Sequence, residues 1–142
     1  MFDSADFRLD GARALVTGAG AGIGRAIAET FAGAGAAVAV TDLDPDAASA
    51  VAEAIVAEGG RAFGMACNVL KEEDLVAAVD RCAEELGGLT LLINNAGGGG
   101  PKPFDMDMSD MRRAFELNLF SVFRLCQLAA PHIQEAGGGA IL

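Results

Sequence analysis

The residues best suited to do chemistry form a glycine-rich turn, TGAGAGIG, from Thr17 to Gly24. An apolar run, Ala14 to Val16, precedes the turn, and a helical pattern begins at Gly22 or Ile23. Glycines let the backbone approach a ligand without a Cβ in the way, and the first N–H groups of a helix face an anion. The turn therefore predicts a phosphate site. Its spacing, G-x-x-x-G-x-G, differs from the G-x-G-x-x-G fingerprint, and a flexible loop is the alternative.

Asp42 is the second candidate, because it lies 18 residues beyond Gly24 and ends the next apolar run. An acidic residue at this distance accepts hydrogen bonds from an adenosine ribose. Its carboxylate would also repel a 2′-phosphate, so Asp42 favours NAD over NADP. The alternative is that Asp42 caps the helix starting near Pro45, although Asp44 is better placed for that role.

Three asparagines complete the candidates. Asn94 and Asn95 follow a fourth apolar run, where their amides can tie neighbouring strand ends together and contact a nucleoside; simple turn chemistry is the alternative. Asn118 lies in an apolar helical segment, where an unpartnered carboxamide costs about 1–3 kcal/mol. The residues alone do not decide whether Asn118 is structural or catalytic.

Alternating strands and helices must position these residues. We expect strands at 12–17, 38–41, 62–67 and 89–93, and helices at 23–31, 45–58, 72–86 and 111–130. This order predicts an α/β fold, a Rossmann-type doubly wound parallel sheet in three αβα layers. Ser109 is the predicted N-cap of the last helix, and 97–103 is the longest irregular stretch. Residues 1–142 read as one nucleotide-binding domain that stops at the start of a fifth strand, in GGGAIL.

Composition excludes several classes of function. The net charge of −10 argues against nucleic-acid binding, and no apolar stretch approaches the roughly 18 residues of a membrane span. Acidic residues within the first ten positions argue against a signal peptide. Cys67, Cys82 and Cys126 show no C-x-x-C spacing, which indicates reduced thiols in a cytoplasm. Because His132 is the only histidine, we expect no metal site.

The helix at 111–130 is apolar nearly all round its circumference. One stripe can lie on the sheet, but the other needs a second cover. A partner subunit is the natural candidate, so we expect a homodimer or homotetramer through this helix.

Taken together, TGAGAGIG, Asp42, the NNAG at 94–97 and Asn118 resemble the short-chain dehydrogenase/reductase family. Within that family, GGGGPKPFDM at 97–106 and the opening MF–S–RLDG pattern are similar to bacterial 7α-hydroxysteroid dehydrogenases. The resemblance implies hydride transfer between NAD and a secondary alcohol or ketone, with a 7α-hydroxysteroid (a bile acid) as the expected small-molecule substrate. A 3-oxoacyl thioester or a sugar is the alternative substrate.

The resemblance also implies roles for individual residues. The expected pyrophosphate contacts are Gly18, Gly22, Ile23 and Gly24. The expected adenosine contacts are Asp42 and Leu43 at the ribose and Asn68 and Val69 at the adenine, although the family usually has Asp in place of Asn68. The expected contacts around the nicotinamide ribose are Asn95, Ala96 and Gly97. Gly99 would border the substrate, and Asn118 would be the catalytic asparagine that anchors a water in a proton relay.

The family's general base, the tyrosine of Y-x-x-x-K, has no counterpart here, because the chain contains no tyrosine. Ser109 and Ser121 precede or lie within the wrong helix, and Lys102 is on a loop, so none replaces the missing serine and lysine. The sequence therefore reads as the cofactor-binding half of such an enzyme, inactive by itself. A non-catalytic nucleotide-binding fragment is the alternative function.

Overall fold

A parallel five-stranded sheet with the order β3-β2-β1-β4-β5 forms the centre of the protein. The computed structural model describes residues 7–100 and 103–142. The strands are β1 Arg13–Thr17, β2 Ala37–Asp42, β3 Arg61–Ala66, β4 Leu91–Ile93 and β5 Ala140–Ile141. The helices are α1 Gly22–Gly33, α2 Pro45–Ala57, α3 Glu72–Leu86, α4 Met108–Phe115 and α5 Ser121–Glu135, with a π-helical segment, Glu116–Phe120, between the last two.

Two apolar cores, one on each face of the sheet, give the fold its three layers. Side chains alternate across a strand, so Ala14 and Val16 of β1 pack toward α1 and α2, where Ala28 and Val51 are buried. The intervening Leu15 packs on the opposite face, in a cluster that α3 and α5 complete. The expected doubly wound Rossmann-type sheet is thereby confirmed.

Local sequence explains where the first helices begin and end. Asp44 accepts hydrogen bonds from the backbone N–H groups of Asp46 and Ala47. Asp44 is therefore the N-cap of α2, as the sequence predicts. α1 ends at Gly33, and Gly87 follows α3 in the left-handed region at φ 80°. Glycine adopts this conformation without a Cβ penalty, so it ends the helix cleanly.

Two expectations for the last helix are wrong. Ser109 is not the N-cap; Asp107 is, because its carboxylate accepts the Ser109 N–H at 2.7 Å. This bond lowers the pKa of Asp107. The helix also does not span 111–130 uninterrupted: it begins at Met108, widens into the π-helical segment and continues through Pro131 to Glu135. The continuation of the helix buries Ile133. Pro131 has no N–H to donate to the Gln127 carbonyl, but Gln127 is exposed to water.

Much of the apolar surface of this helix remains uncovered. Phe115, Leu119, Phe120 and Phe123 are each about half exposed, whereas Leu125 is buried against the sheet. The described part of the chain contains no helix long and apolar enough to cross a bilayer. The opening residues 1–6, which contribute to the steroid-dehydrogenase resemblance, lie outside the described residues. The same is true of Pro101 and Lys102, which belong to the glycine-rich stretch at 97–103, the glycine loop.

Candidate functional site

A cleft of about 390 Å³ opens where β1 and β4 separate at their carboxyl ends. The chain runs from β1 to β2 and β3 on one side and then crosses to β4 on the other, which makes this edge the topological switch point where such folds bind ligands. Eight of the predicted site residues line the cleft: Gly18, Asp42, Leu43, Asn68, Val69, Asn95, Ala96 and Gly97.

Thr17 and Asn95 lock the two sides of the switch point together. The amide nitrogen of the Asn95 side chain donates to the carbonyl oxygens of Thr17 and Gly18, both at 2.9 Å. The Thr17 hydroxyl oxygen accepts the backbone N–H groups of Asn95 and Ala96 at 3.1 and 3.0 Å. The side-chain amide of Asn94 instead donates to the carbonyl of Leu142, the residue after β5, at 3.1 Å. The asparagines therefore do tie strand ends together, as expected.

The glycines of the turn allow a close approach that no other residue permits. A Cβ on Gly18 would lie 2.9 Å from the Ala96 Cα, and a Cβ on Gly24 would collide with the Gly18 carbonyl oxygen and the Asn95 amide. Gly24 thus faces the interior rather than the cleft. Gly22 has φ 55° and open space beside it, and Ile23 is 75% exposed, so both lie on the rim of the turn.

The first turn of α1 has no side-chain cap and contains no acidic residue. Ala21, at its N-cap position, has an extended backbone and an exposed side chain that cannot accept a hydrogen bond. The four leading N–H groups of a helix have no partner within it, and the helix dipole makes that end positive. The turn therefore presents unoccupied donors to an anion.

Asp42 is held in a fixed orientation at the end of β2. Its two carboxylate oxygens accept the backbone N–H groups of Gly20 at 2.8 Å and of Asp44 at 3.1 Å. Each oxygen retains acceptor capacity for a further donor. Leu43, 71% exposed, follows it along the cleft wall. Asp42 does not cap α2, so the capping alternative is wrong.

A compact turn after β3 forms the next part of the wall. Asp74 accepts the Asn68 N–H at 2.8 Å, and the Asn68 side chain accepts the Leu70 N–H at 3.0 Å. These bonds fix the backbone of Asn68 and Val69 beside the cleft. Cys67 lies at the base of the turn, where burial, and secondarily the Asp74 carboxylate, raise the pKa of its thiol to about 11.

Asn118 holds the glycine loop to the π-helical segment. Its side-chain oxygen accepts the Gly98 N–H at 3.1 Å, and its amide nitrogen donates to the carbonyls of Gly98 at 3.0 Å and Ala114 at 2.9 Å. Ser121 likewise donates to the Leu117 carbonyl at 2.7 Å. These bonds supply carbonyl partners in the widened turn, a distortion that is frequent at functional sites.

A second cavity, of about 540 Å³, adjoins the cleft on the other side of the glycine loop. Its lining consists of Gly98, Gly99, Gly100, Met106, Asp110, Met111, Arg113, Ala114 and Leu117. Gly99, predicted to border the substrate, is thus separate from the nucleotide residues. Arg113 and Leu117 line both cavities.

Sequence reasoning missed several of these residues. The sequence places Thr17 at the start of the glycine turn, although a threonine directly before glycine at the end of an apolar strand indicates a polar role. No sequence motif marks Arg113 or Leu117, which lie one helical turn apart. Among the described residues, no three His, Cys, Asp or Glu side chains come together as a potential metal site.

The chain is similar to several known proteins. The chain is 55% identical over 142 residues to 7α-hydroxysteroid dehydrogenase of Escherichia coli strain K12, covering all of this chain and 56% of that protein. It is 41% identical to D-threitol dehydrogenase of Mycolicibacterium smegmatis, with 96% of this chain and 53% of that protein covered. A solved 7α-hydroxysteroid dehydrogenase in complex with NADH and 7-oxo glycochenodeoxycholic acid superimposes with a TM-score of 0.95 at 55% identity, over 99% of this chain and 55% of that one.

The chain therefore spans about half the length of these relatives. Residues 12–142 also match the family model described as short chain dehydrogenase. With a doubly wound sheet, a glycine turn at its switch point and more than nine-tenths of the chain matched, this protein belongs to the short-chain dehydrogenase family.

Proposed function

We propose that this protein is an NAD(H)-dependent oxidoreductase that transfers hydride between the nicotinamide and a secondary alcohol or ketone. One observation carries the proposal: the uncapped start of α1 follows β1 at the same edge of the sheet where the fixed Asp42 carboxylate lines the cleft. The similarity to a solved relative in complex with NADH supports the choice of cofactor.

The cleft and the glycine turn beside it fit a dinucleotide. The turn at Gly18, Gly22, Ile23 and Gly24 offers backbone N–H groups and close approach to a pyrophosphate. Asp42 and Leu43 would bind the adenosine ribose, and Asn68 and Val69 the adenine edge. Asn95, Ala96 and Gly97 would line the nicotinamide ribose side. When bound, the cofactor would accept or donate the hydride, and the chain's own residues would orient it.

We propose a 7α-hydroxysteroid as the substrate, on the similarity to the Escherichia coli enzyme and on the mainly apolar cavity beside Gly99. Asn118 would contribute by holding the glycine loop and a water for proton transfer. The 142 residues contain no tyrosine to act as the family's base. By themselves we expect them to bind nucleotide without turnover.

A steady-state NADH assay with 7α-hydroxysteroids tests the last point, on chain whose mass has been verified. We expect no rate above background, because general acid–base help alone contributes about 10²–10⁴-fold. Robust turnover would mean that the base is among the residues present.

We also propose self-association through the apolar surface of the helix from Met108 to Glu135, between copies related by a two-fold axis. The exposed side chains of Phe120 and Phe123 lie on this surface. Light scattering tests the proposal, and a monodisperse monomer would contradict it.

We further propose a cytoplasmic location, which the three free cysteines support.

Titration with NADH and NADPH tests the cofactor assignment. We expect NADH to bind at least about tenfold more tightly, or about 1.4 kcal/mol, because a carboxylate accepts a ribose hydroxyl but repels a phosphate. Asp42→Asn should bring the two affinities close together. Asp46→Asn is the matched control, because it removes a nearby charge that does not line the cleft. Equal affinities in the unaltered chain would remove Asp42 from this role.

A further inference from the structure

Arg113 is one of four arginines, out of eight, that form no ion pair among the described residues. Arg8, Arg25, Arg81 and Arg124 each pair with a carboxylate: Asp10, Glu29, Glu85 and Glu72, respectively. Within residues 7–100 and 103–142, the guanidinium of Arg113 forms no ion pair. A chain with a net charge of −10 thus keeps one exposed cation beside its cavities without a carboxylate partner.

The position of Arg113 connects that cation to the second cavity. It lines both this cavity and the nucleotide cleft, as does Leu117 one turn further along the helix. Leu117 also packs against the glycine loop, where a Cβ on Gly98 would lie 3.3 Å from its Cδ2. Arg113 therefore stands at the boundary between the two cavities rather than on a remote surface.

The rest of the second cavity indicates what else the ligand must carry. Met106, Met111, Ala114 and Leu117 provide an apolar wall, and methionine side chains adapt to irregular shapes. A volume of about 540 Å³ is within the range of small-molecule sites. Asp110 lines the same cavity, so an anionic group would have to lie at the Arg113 side.

We propose that Arg113 recognises an anionic group on the substrate, so that this protein prefers an apolar alcohol or ketone that carries a carboxylate. The proposal rests on the proposed function, since it assigns a specificity-determining residue to the substrate side of the same site. Arginine suits the task because its planar guanidinium donates two parallel hydrogen bonds to a carboxylate.

Calorimetry with a matched ligand pair tests the proposal on the full chain in the presence of NADH. The probes are 7-oxo glycochenodeoxycholate and its terminal carboxamide, which differ in charge but hardly in shape. We expect the acid to bind about tenfold more tightly than the amide, because charge-assisted hydrogen bonds are about twice as strong as neutral ones. The preference should weaken as salt rises, because Arg113 is exposed.

Arg113→Met should reduce the acid-to-amide ratio to near one, since the charge-assisted bond to the acid is removed. Arg112→Met is the matched control, because Arg112 is the adjacent exposed arginine and lines neither cavity. It should leave the ratio unchanged. Circular dichroism checks that both variants keep their helix.

Three results would overturn the proposal. The first is an acid preference that survives Arg113→Met, and the second is an equal loss of preference in both variants, which would indicate general surface charge. The third is weaker NADH binding with an unchanged acid-to-amide ratio, which would place Arg113 in the nucleotide site. Failure of the unaltered chain to bind NADH is a separate result that contradicts the proposed function itself.

Discussion

The starts of α1 and α2 lie at the same edge of the sheet, after neighbouring parallel strands, yet they are built in opposite ways. α2 has Pro45 in its first turn and the Asp44 carboxylate over the N–H groups of Asp46 and Ala47, at 3.0 and 3.3 Å. α1 begins in a run of glycines, with the apolar Ala21 at its N-cap position and no side-chain bond.

The difference shows that a capped helix start stabilises the fold, whereas an uncapped one is available to a ligand. A side-chain cap contributes about 1 kcal/mol, which α1 forgoes. The start of α3 shows that lacking a cap is not sufficient. Lys71 makes no capping bond there, but Glu72, Glu73 and Asp74 crowd the first turn with negative charge. Only α1 among these three combines free donors with a neutral, glycine-lined approach.

The largest expected effect comes from Gly24→Ala, which disrupts the close packing around the start of α1. Its Cβ would collide with the Gly18 carbonyl oxygen and the Asn95 amide, so backbone must move. We expect a loss of about 3 kcal/mol in the free energy of unfolding, measured with urea, and weak NADH binding. Gly33→Ala in the same helix is the control, since its Cβ meets nothing within 4 Å. Similar losses in the two variants would contradict this account.

The second effect compares Thr17 and Thr41, which are register partners at the ends of β1 and β2. Thr17→Val removes the acceptor of the Ala96 N–H and one of the two acceptors of the Asn95 N–H, at a cost of about 2 kcal/mol in stability. Thr41→Val removes the bond to the Val16 carbonyl at 3.1 Å and should cost about 1 kcal/mol. Thermal unfolding of both variants measures the difference. A larger loss for Thr41→Val would show that the switch point is not locked through Thr17.

The third effect converts the start of α1 toward that of α2. Ala21→Asp places a capping carboxylate where a pyrophosphate should bind, and it should raise thermal stability while weakening NADH binding by about tenfold or more. Ala21→Asn caps without a charge and should weaken NADH binding less. Unchanged NADH affinity in Ala21→Asp would mean that the nucleotide does not use this helix start.

The smallest expected effect is the pH dependence that Cys67 contributes beside the turn after β3. Burial raises the pKa of its thiol from 9.0 to about 11, so the folded protein keeps a proton that the unfolded chain releases. The resulting stability is complete below the unfolded pKa and is lost as pH rises through the folded one. The urea midpoint should therefore fall between about pH 8 and pH 10, and it should fall slightly less in Cys67→Ala than in the unaltered chain. Identical pH slopes would contradict a buried, protonated thiol.

Several local features were predictable because their causes lie within a few residues. Asp44 and Pro45 indicate the start of α2, and Gly33 ends α1. Four strands agree with their expected positions to within two residues. The start of α4 was misplaced because Asp107 and Ser109 are both good capping residues, and only the backbone geometry shows that Asp107 makes the bond. The π-helical segment was not predicted, because no local motif marks it; Asn118, which lies within it, bonds to a loop 20 residues away.

By itself, the sequence determined the alternation of strands and helices, the glycine turn, the carboxylate that follows it and the charge that argues against nucleic acid. These follow from periodicity, backbone freedom and composition, which are local or additive properties. Only the tertiary structure decided that Thr17 and Asn95 lock the switch point, that Gly24 faces the interior, and that Arg113 stands between two cavities. Such contacts join residues up to 79 positions apart, and they exist only because the parallel sheet brings the ends of β1 and β4 together.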